Sequence, residues 1–240
     1  MNNVHRTFQT LLLAALIPAT SSCRTTQQTG WTPLFPEEGV PPGWSARHWA
    51  DVGQPAKDVS KPWRVEKGVL LGIEPRGAWL VSDREYGDFI LEFEWKIGER
   101  GNSGVGLRFP SSGDPAFDGI EVQMVDPRYF TPEVWAKTIP AELTGGIYRA
   151  IAPTKQLFRP LEWNRYRIEC RGATIKVELN GEIVQRVDLN RESKVILRHD
   201  NKPAPALKDR PRRGRIGFQE LSRSGRVEIR HARIQTLESR

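Results

Sequence analysis

Short segments that alternate apolar and polar residues recur along the chain, and they constrain its fold more than any other feature. The clearest is DFILEFEWKI, from Asp88 to Ile97, where Glu92, Glu94 and Lys96 point away from five apolar side chains. A period of two residues is typical of a strand with one buried face. Roughly ten to twelve such segments occur, at the spacing expected of a β-sandwich. The sequence shows no amphipathic helix of useful length and no long repeat.

We therefore predict an all-β protein in which one domain, residues 31–240, forms a two-sheet antiparallel sandwich. The strongest hairpin signal joins Ile175–Leu179 to Glu182–Asp188 through the dipeptide Asn180-Gly181, which suits a type I′ turn. Hydrophobic residues make up 38% of the chain and charged residues 27%, as in a soluble globular protein. After the N-terminus, no segment approaches the ~20 apolar residues that a membrane helix needs.

The N-terminus has the residue order of an export signal. His5 and Arg6 precede the apolar run Leu11–Ile17, and the small residues 19–22 then lead to Cys23. A charged, an apolar and a small-residue region in this order are typical of a secretory signal. A cysteine directly after the small residues resembles a bacterial lipoprotein signal.

We accordingly predict a signal peptide at residues 1–22, a lipid-anchored Cys23 and a tether at residues 23–30, which would place the domain in the cell envelope or periplasm. The alternative is ordinary cleavage near Ser21 or Ser22, which leaves a soluble exported protein.

The second cysteine, Cys170, then has no disulfide partner even in an oxidising compartment. It alternates with Tyr166 and Ile168, so we expect it to be a small buried hydrophobic residue.

The formal net charge is +7, and 14 Lys/Arg against 6 Asp/Glu fall from Arg191 onward. A basic tail raises the question of nucleic acid. The export signal, and the lack of any helix, finger or stacking motif among these arginines, argue against a nucleic-acid partner. We expect a solvated basic edge, near anionic lipid or cell-wall polymer.

The stretch from Gly101 to Asp126 carries the candidate site. It reads as two alternating strands in which Val105, Leu107 and Phe109 enter the core. The opposite face then presents Arg108, Glu121 and Gln123 beside glycines. Glycines on a strand allow a ligand to lie close to the backbone.

The order of motifs resembles the 3-keto-disaccharide hydrolase family over residues 31–238. The motifs that carry the resemblance are Gly72…Gly77-Ala-Trp-Leu-Val-Ser82, Glu85-Tyr86-Gly87-Asp88-Phe89, Gly101-Asn102-Ser103-Gly104-Val105, Glu121-Val122-Gln123, Gly145…Tyr148, Glu162-Trp163-Asn164, Leu179-Asn180-Gly181 and Gly214-Arg-Ile-Gly-Phe-Gln219.

This resemblance implies a concanavalin A-like jelly roll with a glycan-facing sheet, usually in exported bacterial proteins, and a carbohydrate partner already oxidised at C3. The ketone acidifies the hydrogen on C2, so that a base removes it, the enolate expels the C1 substituent and water adds to the enone. Such a site needs a general base and a group that stabilises the enolate oxygen. It does not need the paired carboxylates of an ordinary glycosidase.

Two residues are candidates for this chemistry. Glu121 would be the base, or else a solvent-facing strand glutamate. Arg108 would stabilise the enolate charge, or else form an ion pair with Glu121.

Five further residues are candidates for sugar binding: Gln123, Asn102, Tyr148, Trp135 and Gln219. Asn102 lies in a glycine-flanked turn and has local backbone bonding as its alternative. Tyr148 and Trp135 would stack on a sugar ring, or else pack beneath the long irregular insertion at residues 127–144.

One departure from the family pattern concerns a histidine. The family often continues its last motif as glutamine, any residue, histidine, glycine, whereas this chain reads Gln219-Glu220-Leu221-Ser222. A non-catalytic, lectin-like carbohydrate-binding lipoprotein is therefore the alternative function. A third possibility is an envelope lipoprotein that docks a protein through its basic end.

No cofactor is indicated. The histidines do not have the spacing of a metal motif, although a divalent cation at His199-Asp200 near Glu121 remains open.

Overall fold

The computed structural model describes Met1 and residues 30–238. The predicted signal peptide, Cys23 and the tether up to residue 29 lie outside the described residues. Within the described part, no helix has the length and apolar character needed to cross a bilayer.

Fourteen strands and two helices of four residues run through the described residues. In chain order they are β1 (Thr32–Pro33), β2 (Trp44–His48), β3 (Asp51–Pro55), β4 (Arg64–Glu66), β5 (Val69–Leu71), β6 (Ala78–Tyr86), β7 (Phe89–Lys96), β8 (Asn102–Phe109), α1 (Pro115–Asp118), β9 (Ile120–Val125), α2 (Pro132–Trp135), β10 (Asn164–Arg171), β11 (Thr174–Leu179), β12 (Glu182–Asp188), β13 (Gly214–Glu220) and β14 (Glu228–Thr236).

The strands form two antiparallel sheets, as predicted. The first sheet has the order β12-β11-β10-β7-β14-β5-β4, with β1 paired to β14, and the second has the order β3-β2-β6-β13-β8-β9. The predicted hairpin is present between β11 and β12, and both Asn180 and Gly181 have positive φ angles, as a type I′ turn requires.

The hydrophobic core lies between the sheets, where the alternating residues predict it. Phe89, Leu91, Phe93 and Trp95 on β7 are almost completely buried. Phe93 meets Phe218 of the opposite sheet edge-to-face, with ring centres 5.1 Å apart. Cys170 is a free, fully buried thiol in the same core, as expected.

The end of β8 departs from simple alternation. Val105 and Leu107 enter the core as predicted, but Phe109 packs with Trp79 in a separate cluster on the outer face of the second sheet. Arg108 has a φ of 53°, and the pairing of β8 with β13 changes register at this point. This β-bulge exchanges the faces of the two residues that end the strand.

The insertion at residues 127–144 is ordered by short turns. It contains 3₁₀ turns at Pro127–Tyr129 and Pro140–Glu142, and α2 lies between them. Each of these three elements begins with a proline, whose fixed φ suits the first helical position. The insertion continues from the C-terminal end of β9, so it is placed to wall the outer face of the second sheet.

Candidate functional site

A cleft of about 690 Å³ lies over the outer face of the second sheet, within the size range of small-molecule sites. Glu121 and Gln123 on β9 contribute to it because they alternate with Ile120, Val122 and Met124, which are fully buried in the core. Five of the residues predicted from sequence line this cleft together: Glu121, Gln123, Asn102, Tyr148 and Gln219.

Glu121 occupies the space that a side chain at Gly104 would fill. A Cβ at Gly104 would lie 2.0 Å from Glu121 Oε1, so the strip of glycines on β8 is what lets the carboxyl lie against the sheet. Glu121 is only 2% exposed, and its Oε1 has no hydrogen-bond partner among the described residues. Burial, reinforced by the charge of Asp114, raises the pKa of Glu121 well above its usual range.

Asp114 is the second carboxyl of the cleft. It caps the N-terminus of α1, where its Oδ1 accepts a hydrogen bond from Ala116 N at 3.0 Å. Burial raises its pKa to about 7, with a further contribution from Asp118. Asp114 and Glu121 repel each other when both are ionised, so the charge of each carboxylate opposes the ionisation of the other.

The cleft is also lined by Tyr148, His199 and Arg149, alongside the two carboxyls. Tyr148 packs against Phe117 and His199, each with ring centres 6.0 Å away. Burial raises the pKa of Tyr148, so its hydroxyl is protonated and can donate a hydrogen bond. Burial, followed by the charge of Arg149, lowers the pKa of His199, which keeps its imidazole neutral at pH 7.

Arg149 supplies a cation to the cleft. Its guanidinium lies 5.6 Å from the centre of the Tyr148 ring, and its Nε donates to Glu142 at 2.7 Å. The residue has a φ of 57°, a conformation that costs energy for a residue other than glycine and is frequent at functional sites.

Amide groups provide the remaining polar contacts. The Gln123 side-chain oxygen accepts from Met124 N at 2.9 Å, which leaves its amino group as a donor. The Asn102 Oδ1 is buried and has no hydrogen-bond partner. An unpaired buried polar atom is costly, and a hydroxyl group of a ligand would satisfy the Asn102 oxygen.

Arg108 lies outside the cleft, contrary to its predicted place beside Glu121. Its side chain is fully buried and donates to Gly87 O at 2.8 Å, Gly172 O at 2.7 Å and Asp88 Oδ1 at 3.0 Å. The bulge at Arg108 is the reason, because it turns the side chain off the face that Glu121 occupies. Arg149 takes the cationic position instead.

Trp135 does not line the cleft either. It lies on α2, is 48% exposed, and packs its ring 5.9 Å from that of Phe130. Phe130 and Tyr129 are the aromatic residues of the insertion that reach the cleft.

The cleft is also lined by Asp114, Arg149 and Trp49, which the sequence pattern does not predict as site residues. Asp114-Pro115 is a recognisable helix-start signal, so a search for caps beside the glycine-rich hairpin could have found Asp114. Arg149 carries no local signal, since its place depends on the turn that follows Gly146. His199 does line the cleft, but among residues 30–238 no group of three or more His, Cys, Asp or Glu is placed to hold a metal ion.

The 3-keto-alpha-glucoside-1,2-lyase-like domain family matches residues 30–235. The chain belongs to this family. Membership confirms the resemblance and gives the protein a carbohydrate-active role. None of the curated proteins compared with this sequence matches it.

Solved structures agree with the fold. A candidate glycosyl hydrolase from Parabacteroides distasonis is 25% identical with a TM-score of 0.67, covering 87% of this chain and 100% of that chain. A second from the same organism is 23% identical with a TM-score of 0.65, covering 87% and 94%. LamA from Zobellia galactanivorans, solved with laminaritriose and laminaritetraose, is 14% identical with a TM-score of 0.50, covering 86% and 98%.

Proposed function

We propose that the protein cleaves the glycosidic bond of sugars that carry a ketone at C3, with Glu121 as the base that removes the C2 proton. The observation that carries this proposal is the Glu121 carboxyl, which is buried in the cleft, has an unpartnered oxygen and has a raised pKa. Once ionised, a carboxylate of raised pKa is a stronger base than an ordinary glutamate.

The reaction proceeds in two stages that together add one water. In the first, the C2–H bond breaks towards Glu121, and the C1–O bond breaks with its electron pair leaving on the glycosidic oxygen, which takes up a proton. In the second, water adds hydroxyl to C1 and hydrogen to C2 of the enone. Nothing is oxidised or reduced.

Tyr148 and Arg149 stabilise the enolate oxygen that forms in the first stage. A protonated phenol and a guanidinium held by Glu142 are fixed donors on the side of the cleft that faces the carboxyls. Fixed donors aimed at developing charge are the largest contribution to many enzymatic rates. Asn102, Gln123 and Gln219 hold the sugar hydroxyls.

Glu121→Gln tests the proposal on a chromogenic 3-keto-glucoside. The substitution keeps the shape of the side chain but removes the base, so kcat is expected to fall by about 10²–10⁴-fold with binding retained. Glu178→Gln is the matched control, since Glu178 lies on a strand of the other sheet and pairs with Lys176. Wild-type turnover that survives in Glu121→Gln would refute the proposed role.

Carbohydrate binding without cleavage is the second candidate function. The observation that favours it is Leu221, which lines the cleft where the family pattern often has a histidine. In that case the wild-type protein binds the 3-keto-glucoside and releases no product, and Glu121→Gln changes nothing in the assay.

We further propose that the protein is exported and anchored through Cys23, because of the residue order that precedes this cysteine. Cys23→Ala is expected to move the protein from the membrane to the soluble fraction, whereas Ser22→Ala leaves it in place. Equal membrane association of both variants would refute the anchor.

A further inference from the structure

Two arginines that form no ion pair with any described residue lie at one end of the cleft. Arg76 precedes β6, Arg223 follows β13, and both line the cleft with Tyr129 between them. The Arg223 guanidinium carbon lies 4.7 Å from the centre of the Tyr129 ring, and that of Arg76 lies 5.8 Å away. Arg76 Nη2 also donates to the Tyr129 hydroxyl at 3.4 Å. The Tyr129 ring therefore contacts both guanidinium groups and helps to hold them in place.

Unpaired cations distinguish Arg76 and Arg223 from other arginines near the cleft. Neither arginine forms a salt bridge with a carboxylate among the described residues, whereas Arg128, Arg149 and Arg226 all do. Lys137 also lines the cleft without an ion-pair partner in the described part of the chain. The cleft therefore has three cations that no carboxylate of residues 30–238 neutralises through an ion pair: Arg76, Arg223 and Lys137.

The backbone of Arg223 lies further along the second sheet than the position of Glu121. Gly104, over which the Glu121 carboxyl rests, is next to Gln219 in the sheet, since Phe218 pairs with Val105. Arg223 follows Gln219 by four residues, and its N–H bonds to Arg100 O, so the ladder continues to that point. Four extended residues span roughly 13 Å, so the Arg223 backbone lies far enough from Glu121 for a neighbouring sugar unit to meet its side chain.

We infer that the leaving unit of the substrate carries an anionic substituent, a carboxylate, sulfate or phosphate, which Arg76 and Arg223 bind. The inference rests on the proposed function, because it takes the ring at Glu121 to be the one that reacts. Guanidinium groups present planar pairs of N–H donors that match such oxyanions. A neutral leaving sugar would leave these two cations without a partner.

The test is the binding of four sugars to the full chain by calorimetry: methyl glucoside, methyl glucuronide, glucose 6-sulfate and glucose 6-phosphate. At least one acidic sugar is expected to bind about tenfold or more tightly than the neutral one, since each exposed ion pair contributes up to about fivefold. The acidic sugar that binds best identifies the substituent. The preference is expected to shrink in 1 M salt.

The variant Arg76→Gln/Arg223→Gln is expected to lose this preference. Arg84→Gln is the matched control, because Arg84 also lies over a tyrosine ring, that of Tyr86 at 5.2 Å, but outside the cleft. Equal or absent binding of acidic and neutral sugars by the wild type, or a preference that survives in the double variant, would overturn the inference.

The two proposals fail separately. Cleavage of a neutral 3-keto-glucoside without any preference for acidic sugars would refute the anionic subsite alone. Binding of acidic sugars that depends on Arg76 and Arg223, without cleavage by Glu121, would refute the reaction alone.

Discussion

At the scale of single residues, the glycine opposite Glu121 is as important to the site as the carboxyl itself. Gly104 has an ordinary φ, so space and not backbone conformation is what requires glycine there. The contact that a Cβ would make is with the end of the Glu121 side chain, which can move aside. A larger residue at position 104 would therefore displace the Glu121 carboxyl.

Gly104→Ala is expected to lower kcat at least about tenfold while the protein stays folded, because a group misplaced by about 1 Å loses much of its effect. The measurement is turnover of a 3-keto-glucoside beside the melting temperature. Gly30→Ala is the control, since a Cβ there meets nothing within 4 Å. Full activity in Gly104→Ala would mean that the position of Glu121 is not critical.

At the scale of elements, the bulge that ends β8 turns the Arg108 side chain away from Glu121. Arg108 therefore has a structural role, whereas Glu121 lies in the cleft. Arg108 ties the turn before β7 to the turn between β10 and β11, through carbonyls of Gly87 and Gly172 and the carboxylate of Asp88. These contacts join neighbouring strands of the first sheet to the end of the second.

Arg108→Met is expected to lower the free energy of unfolding by about 3 kcal/mol, because it leaves buried hydrogen-bond partners unpaired. Activity per folded molecule should stay at the wild-type level, since Arg108 lies outside the cleft. Urea unfolding and active-site-normalised kcat check both parts, with the half-exposed Arg171→Met as control. A fall in kcat without a fall in the free energy of unfolding would show that Arg108 acts in the site.

The bulge at Arg108 is the feature of β8 that the alternation of residues does not predict. Alternation correctly places Glu121 and Gln123 on one face and Val105 and Leu107 on the other, because it depends only on the strand period. A positive φ at Arg108 is a tertiary feature with no residue preference to reveal it. The faces of Arg108 and Phe109 could therefore not be derived from the pattern.

Residues brought in by loops are harder to predict than those on strands. Tyr148 belongs to the Gly145…Tyr148 motif, whereas Arg149 and Trp49 reach the cleft through turns that only the folded chain defines. The length of the insertion does not reveal which of its aromatic residues face the cleft, because that depends on the short turns within it. Tyr129 and Phe130 do so, and Trp135 does not.

At the scale of the whole molecule, buried carboxyls couple stability to pH. Burial raises the pKa of Asp114 to about 7, and burial likewise raises that of Glu220, beneath Gly72, to about 7. Because the folded state holds these protons more tightly than the unfolded chain does, their stabilising contribution is complete below about pH 4 and is lost as the pH rises through about 7.

The free energy of unfolding is thus expected to fall between pH 5 and pH 8. Asp114→Asn should remove up to about 3 kcal/mol of that decline, the two pKa units between pH 5 and about 7 at 1.36 kcal/mol each, because the amide oxygen can still cap α1. Urea unfolding at the two pH values measures it, with the exposed Asp200→Asn as control. A decline of wild-type size in Asp114→Asn would contradict the raised pKa.

The central claim, proton removal at C2 before the glycosidic bond is lost, is tested most directly by running the reaction in D₂O. Elimination followed by addition of water predicts one deuterium at C2 of the released 3-keto sugar. Magnetic resonance of the product, read early and against an enzyme-free control for slow exchange next to the ketone, detects it. Product that keeps its original hydrogen at C2 would show direct hydrolysis and contradict the account.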